Sequence, residues 1–438
     1  MLKNQINKII QNKTVSNIAV VAIITILVKF VGFYKEVKVA EEFGLSELLD
    51  TFYIALLIPG LINQVFLISF KSVFIPNYIA ELKEKKEAAS FQTVSFVITI
   101  GLGLIFTLIS FFFTDFYLDI FFPDHTESYY GLVKIQFYYL APCLVIWGLN
   151  ALLSGILNIF DEFKYSSVYP ILTSILMLVC LLGFQNILQE RVLAVGMLLG
   201  SFAEFIFLLI VSLRKGIIKF STPDFTSKNT RMMLREFPAR ITSSFLTGMV
   251  PATDQYFAGQ LAIGSITALN YGYKVPAFIS AIAIVALGNV LLPYFSKLIL
   301  YNKETAYERL YTIIKVLFGG ILVVIIPLCF LSYFVIEILF ERGAFTANDT
   351  NTVGLIQIVY FLALPFSICT DVLVRFLTGI NKNTFMAIVS FISLLLNIIF
   401  NYIFMKLYGV MGIALCTTVI EALKFGVFYM YSKKLQKT

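Results

Sequence analysis

Among the ionisable side chains of KFVGFYKEVKVAEEFGLSELLD, Lys29, Lys35, Glu36 and Asp50 fall inside or at the mouth of segments otherwise apolar enough to cross a bilayer. A charge at the middle of a bilayer costs at least about 2.5–3.5 kcal/mol on insertion scales, so each such residue demands a partner, water or a ligand. Lysines in such a place suit an anion, and acids suit a proton or a monovalent cation. Glu204, Asp254 and Lys274 raise the same question in later segments. A helix can neutralise a charge with an opposite one three or four residues away. Arg375 has Asp371, Lys424 has Glu421, and Lys38 has Glu41 and Glu42. At those spacings Lys35 meets only Val31, Gly32, Lys38 and Val39, and Lys274 only Asn270, Tyr271, Ala277 and Phe278. Asp50 and Asp254 likewise find no base there. These residues are expected to line a polar cavity or to pair across helices, snorkelling to the outer interface being the alternative for Asp50.

The elements that position them follow from composition. The chain has 438 residues, 59% of them hydrophobic and only 13% charged, with a mean hydropathy of +0.88. A water-facing surface does not tolerate that balance, so the chain is read as an all-α polytopic membrane protein. Helices rather than a barrel follow because the apolar runs reach about 20 residues and lack strict alternation. Runs and polar breaks place about twelve spans, near 15–42, 47–80, 89–114, 130–159, 166–184, 190–213, 233–260, 265–300, 307–340, 351–380, 384–405 and 409–432. The first apolar run is expected to be a span, not a cleaved signal.

Most of the 33 Lys+Arg fall in the N-terminal tail, in alternate loops and in the C-terminal tail, whereas the opposite loops hold Arg191, Arg342 and Lys406. Both termini are therefore expected to be cytoplasmic. The basic stretch 214–240 is the same topological signal, not a nucleic-acid site. All five cysteines lie in apolar segments without ligand spacing, and His125 is the single histidine, in a polar loop. No metal site or histidine-based catalytic machinery is expected.

An internal repeat organises the spans. Pro59 and Pro76 recur as Pro276 and Pro293 at one offset of 217 (276 − 59 and 293 − 76), and Glu204 and Glu421 share it. LLSGILNIFDEFKYSSV around Gly155 resembles RFLTGINKNTFMAIV around Gly379. The chain thus reads as two six-helix lobes, 1–220 and 221–438, with the four prolines as kinks or hinges. Two such lobes of like orientation are typical of alternating-access transporters with a site between them. Lys35 from one lobe and Lys274 from the other could then face one anion, phosphate or pyrophosphate.

VGFYKEVKVAEEFGLSELLDTFYIALLIPGL, followed by FIPNYIAE, resembles the MurJ (MviN) lipid II flippases, whose first two helices read LGFxRDxxxAxxFGxxxxxDAFxxAxxxPNL and FxPxxAE. ALNYGYKVPAFISAIAIVALGNVLLPYFSK is similar to their eighth helix and LFERGAFTANDT to the loop after their ninth. These proteins belong to the MOP superfamily, which includes the MATE exporters. The resemblance implies a MATE-like fold in the bacterial cytoplasmic membrane, and transport of an undecaprenyl-diphosphate-linked saccharide through a central cationic cavity. The family's essential arginine after GFx falls at Lys35, its earlier first-helix arginine at Lys29, its aspartate before AF at Asp50, and its eighth-helix arginine at Lys274. Lysine keeps the charge there and loses the planar fork that grips phosphate with two bonds. The family's paired arginines after PNL fall at Asn63 or Gln64, and its two further helices have no counterpart in these 438 residues.

Lys35, Lys274, Lys29 and Asp50 are thus the expected substrate-binding residues, and Glu36, Asp254 and Glu204 the candidates for ion coupling. No cofactor is expected beyond a coupling proton or monovalent cation. The expected partners are the lipid-linked glycan and membrane lipids, with no nucleic acid, and the protein is expected to act as a monomer and not as an enzyme. The alternatives are a flippase for an O-antigen or exopolysaccharide unit and a multidrug cation exporter. An exporter of cations calls for an acidic cavity, at odds with three intramembrane lysines.

Overall fold

The structure, a computed structural model, describes residues 13–84, 88–123 and 125–437. Lys3 and Lys8 of the basic N-terminal tail, and the side chain of Pro293, lie outside the described residues. Within them all regular structure is helical, as lipid requires of a chain that must satisfy its backbone hydrogen bonds internally.

The first pass is α1 (Lys13–Phe43). The second comprises α2 (Glu47–Ile62), a π-helical turn over Asn63–Leu67 and α3 (Ile68–Glu84). Next come α4 (Ala88–Phe112), a short α5 (Thr114–Phe121), and a fourth pass divided at Pro142 into α6 (Glu127–Leu140) and α7 (Cys143–Ile159). After the single-turn α8 (Phe163–Val168), α9 (Ile171–Leu188) and α10 (Val192–Arg214) form a hairpin. The second half holds α11 (Lys228–Gly259), α12 (Ser265–Tyr301), α13 (Lys303–Phe330), α14 (Ser332–Phe340), α15 (Ala347–Gly379) and α16 (Asn383–Lys437). α16 is itself a hairpin, reversed at Gly409, whose φ of 59° belongs to the left-handed region that glycine enters without strain.

Among the described residues, seven continuous stretches are long and apolar enough to cross a membrane. Two of them, Phe163–Arg214 and Asn383–Lys437, are the hairpins and cross twice. The other three passes, α1, α11 and α12, carry Lys29, Lys35, Asp254 and Lys274. The described residues thus make the twelve passes expected. Pro59 lies inside α2, and the π-helical turn follows four residues after it. Pro76 and Pro276 instead lie inside continuous helices, Pro76 exposed and Pro276 buried.

Two compact units are formed, one of residues up to 39 with 51–248, the other of 40–50 with 249–438. In the first, Phe74, Tyr78 and Phe91 stack at 5.2 and 5.8 Å around a core that includes Phe70, Leu153 and Met233. A polar seam joins α3 to the start of α11. Ser69 and Ser244 meet at 2.6 Å, Arg240 Nε donates to Ser72 at 2.8 Å, Asn77 to Glu236 at 3.0 Å, and Asn229 to the buried Glu81 at 2.6 Å. These bonds hold residues 228–248 to the first unit. The second unit packs Phe295, Tyr307 and Phe376, with centroids 5.3 and 4.9 Å apart.

The repeat persists in backbone detail. The second pass runs 47–84 and α12 runs 265–301, so their last residues differ by 217 (301 − 84), like the prolines within them. After the fourth pass of each half the chain turns alike. Asp161 and Asn381 take φ of 61° and 58°, with Glu162 N bonded to Leu157 O and Lys382 N to Leu377 O, both at 2.9 Å. Gln189 and Gly409, φ 48° and 59°, repeat the hairpin reversal. Here the offset is 220 (381 − 161 and 409 − 189), which pairs Gly379 with Ile159 and displaces the expected Gly155 match by one helical turn.

Candidate functional site

Lys35 does have a partner on its own helix. Its ammonium lies 2.5 Å from Glu36 Oε1, with both side chains 15% exposed. Adjacent helical residues point about 100° apart, so a test at three and four residues overlooks them, yet two long side chains in apolar surroundings can bend together. Lys29, two turns earlier on α1, is exposed, and Lys274 is half-buried on α12.

Asp50 is 2% exposed and holds the start of α12. Its Oδ2 accepts from Gly264 N at 2.6 Å, and its Oδ1 from Thr267 N at 2.8 Å and Thr267 Oγ1 at 2.6 Å. A helix start leaves backbone N–H groups without intrahelical acceptors, and this carboxylate fills that need from a distant point in the sequence. Just before it, Glu41 O accepts from Ala344 N at 2.7 Å, so 40–50 is tied to two loops of the second unit.

Asp254, 9% exposed on α11, is held by three side-chain donors. Its Oδ1 accepts from Asn401 Nδ2 at 2.7 Å and Asn397 Nδ2 at 3.2 Å, and its Oδ2 from Thr417 Oγ1 at 2.8 Å. The Oδ1 atoms of Asn397 and Asn401 are buried without hydrogen-bond partners. A half-turn of either amide would present oxygen in place of N–H. Carboxylate, amide and hydroxyl oxygens together are the donor set of a hard cation. Sequence reading found Asp254 and missed its partners, because three neutral residues on a distant hairpin give no charge signal.

Glu204, 7% exposed on α10, accepts from Thr173 Oγ1 at 2.6 Å and Asn150 Nδ2 at 3.1 Å. Lys71 was also overlooked. Its ammonium donates to Ser154 Oγ at 2.8 Å and its stem lies over Gly155. The test applied to Lys35 would have found it, since Leu67, Ile68, Phe74 and Ile75 occupy the neighbouring positions.

Twelve helical passes carrying intramembrane lysines, and acids seated among neutral donors, define a polytopic membrane transporter. Solved structures show the same fold. One described as lipid II flippase MurJ in an inward closed conformation aligns with a TM-score of 0.81 at 24% identity, covering 94% of this chain and 87% of that one. An inward-facing multidrug resistance MATE family transporter of the MOP superfamily aligns at 0.70 with 15% identity, covering 96% and 98%. A probable lipid II flippase MurJ of Rickettsia prowazekii is 26% identical over 95% of this chain and 83% of its own length. The family model for lipid II flippase MurJ matches residues 39–438, and the chain belongs to that family. It is a multi-pass protein of the bacterial cytoplasmic membrane with a transport role.

Proposed function

We propose that the protein moves lipid II, an undecaprenyl-diphosphate-linked saccharide, from the inner to the outer leaflet by alternating access. The observation that supports this best is the family match over residues 39–438. Lys35, Lys274 and Lys29 supply positive charge for the diphosphate, as point charges where the family's arginines would grip with a fork. Glu36 sets the availability of the Lys35 ammonium. Asp50 serves the substrate indirectly, by fixing the start of the helix that carries Lys274.

The cluster of Asp254, Asn397, Asn401 and Thr417 is the coupling site in this reading, taking a monovalent cation or a proton. Asp254→Asn, which keeps the size and loses the charge, is expected to remove any dependence of transport on an imposed cation gradient. A variant with unchanged dependence would contradict the assignment. Both termini face the cytoplasm and the monomer is the working unit.

Complementation of a cell depleted of its own lipid II flippase tests the substrate. Rescue is expected, and lost when Lys35 or Lys274 becomes alanine at unchanged protein level. Failure of the wild type despite good expression would favour an O-antigen or exopolysaccharide unit. A drug-resistance phenotype would favour a cation exporter.

A further inference from the structure

Glu204 brings a carboxylate into the interior of the first unit with, among the described residues, no cation hydrogen-bonded to it. Thr173 of α9 and Asn150 of α7 are the donors to its two oxygens. The Asn150 amide also donates to Ser201 O at 3.2 Å, which keeps its N–H groups turned toward the carboxylate. Asn150 itself is 2% exposed, and its Oδ1 has no hydrogen-bond partner. Among the described residues, Cys143 on α7 and Tyr169 before α9 lie close enough to feel the charge of Glu204, and neither brings a positive charge. On α6, packed along the same helix, Lys134 is taken by Asp115 at 2.6 Å. Lys71 of α3 donates instead to Ser154, which neighbours Tyr169.

An ionised carboxylate so placed is a buried charge without a counter-ion, a costly arrangement in any protein interior. A metal ion would need more oxygens than the site turns inward, since Asn150 presents N–H. A proton needs no more. The Thr173 hydroxyl can donate to the carboxylate and, rotated, accept from the O–H of the acid, while the Asn150 N–H serves the other oxygen in both states. We propose that Glu204 is a proton-binding site of the first unit, with Thr173 as its reversible partner. Protonation forms one O–H bond on a carboxylate oxygen, with the proton drawn from water and returned to it. Only the place of this step in a transport cycle rests on the transporter reading.

The test is pH-difference infrared spectroscopy of the full chain in lipid bilayers. On acidification the wild type is expected to gain a carboxylic-acid C=O band that is absent from Glu204→Gln and kept by Asp254→Asn. Thr173→Val is expected to shift the midpoint of that band's titration, which loss of a merely structural hydrogen bond would not do. Should the Gln variant fail to fold, wild-type protein grown with carbon-13-labelled glutamate must show the band displaced. A band kept in Glu204→Gln, or one unmoved by the label, overturns the proposal. If the band is Glu204's but the wild type flips no lipid, the transport reading fails and the proton site stands.

Discussion

The lysine at position 35 shows what charge spacing can and cannot reveal. Its family position and its apolar surroundings are plain in the sequence, yet its contact with Glu36 is not, because the pair breaks the three-and-four rule of helix neighbours. Lys35→Arg is expected to keep transport, since charge is retained and a fork is gained, while Lys35→Ala loses it. Rescue of a flippase-depleted cell at matched protein level distinguishes them. Asp50 makes the complementary point. The sequence marks it as a charge in need of company, and its oxygens accept from the N–H groups of Gly264 and Thr267 and from the Thr267 hydroxyl. Asp50→Ala is expected to cost about 0.5–2 kcal/mol, the range for losing a helix cap, and to lower the melting temperature in detergent. A variant that melts with the wild type but no longer transports would restore a direct substrate role for this carboxylate.

At the scale of elements, the spans were legible because about 20 apolar residues in succession have few other fates. Interruptions were less so. The break at Pro142 follows a recognisable residue and α13 gives way at Leu331, four residues after Pro327, but NQVFL carries no proline or glycine to mark the π-helical turn. Close helix contact was written in small residues. Gly196 and Gly200 form a GxxxG face on α10, where an added methyl would meet Met177 Cα at 2.9 Å and Thr173 Cα at 2.5 Å. Gly200→Val is therefore expected to force α9 from α10 and to move Thr173 away from Glu204. Lower thermal stability together with an altered Glu204 titration would confirm it, and wild-type values for both would contradict it. The sequence signalled neither the seam between α3 and α11 nor the ties of residues 40–50, since both depend on small polar groups brought together from distant segments.

For the whole molecule, the repeat was the most informative feature of the sequence. Its offset of 217 ends the second pass and α12 in register, and a three-residue shift to 220 carries it through the turns at Asp161 and Asn381. Two halves of one design differ in how each holds its buried acid. The first holds Glu204 between Thr173 and Asn150, and the second seats Asp254 among Asn397, Asn401 and Thr417. The central claim is that intramembrane lysines from both halves carry a diphosphate-linked lipid across the bilayer. Its most direct test is flipping of fluorescent lipid II by purified protein in proteoliposomes, comparing wild type with Lys35→Ala and Lys274→Ala. The account predicts transport by the wild type and its loss in each variant. Wild-type rates in both variants would contradict it.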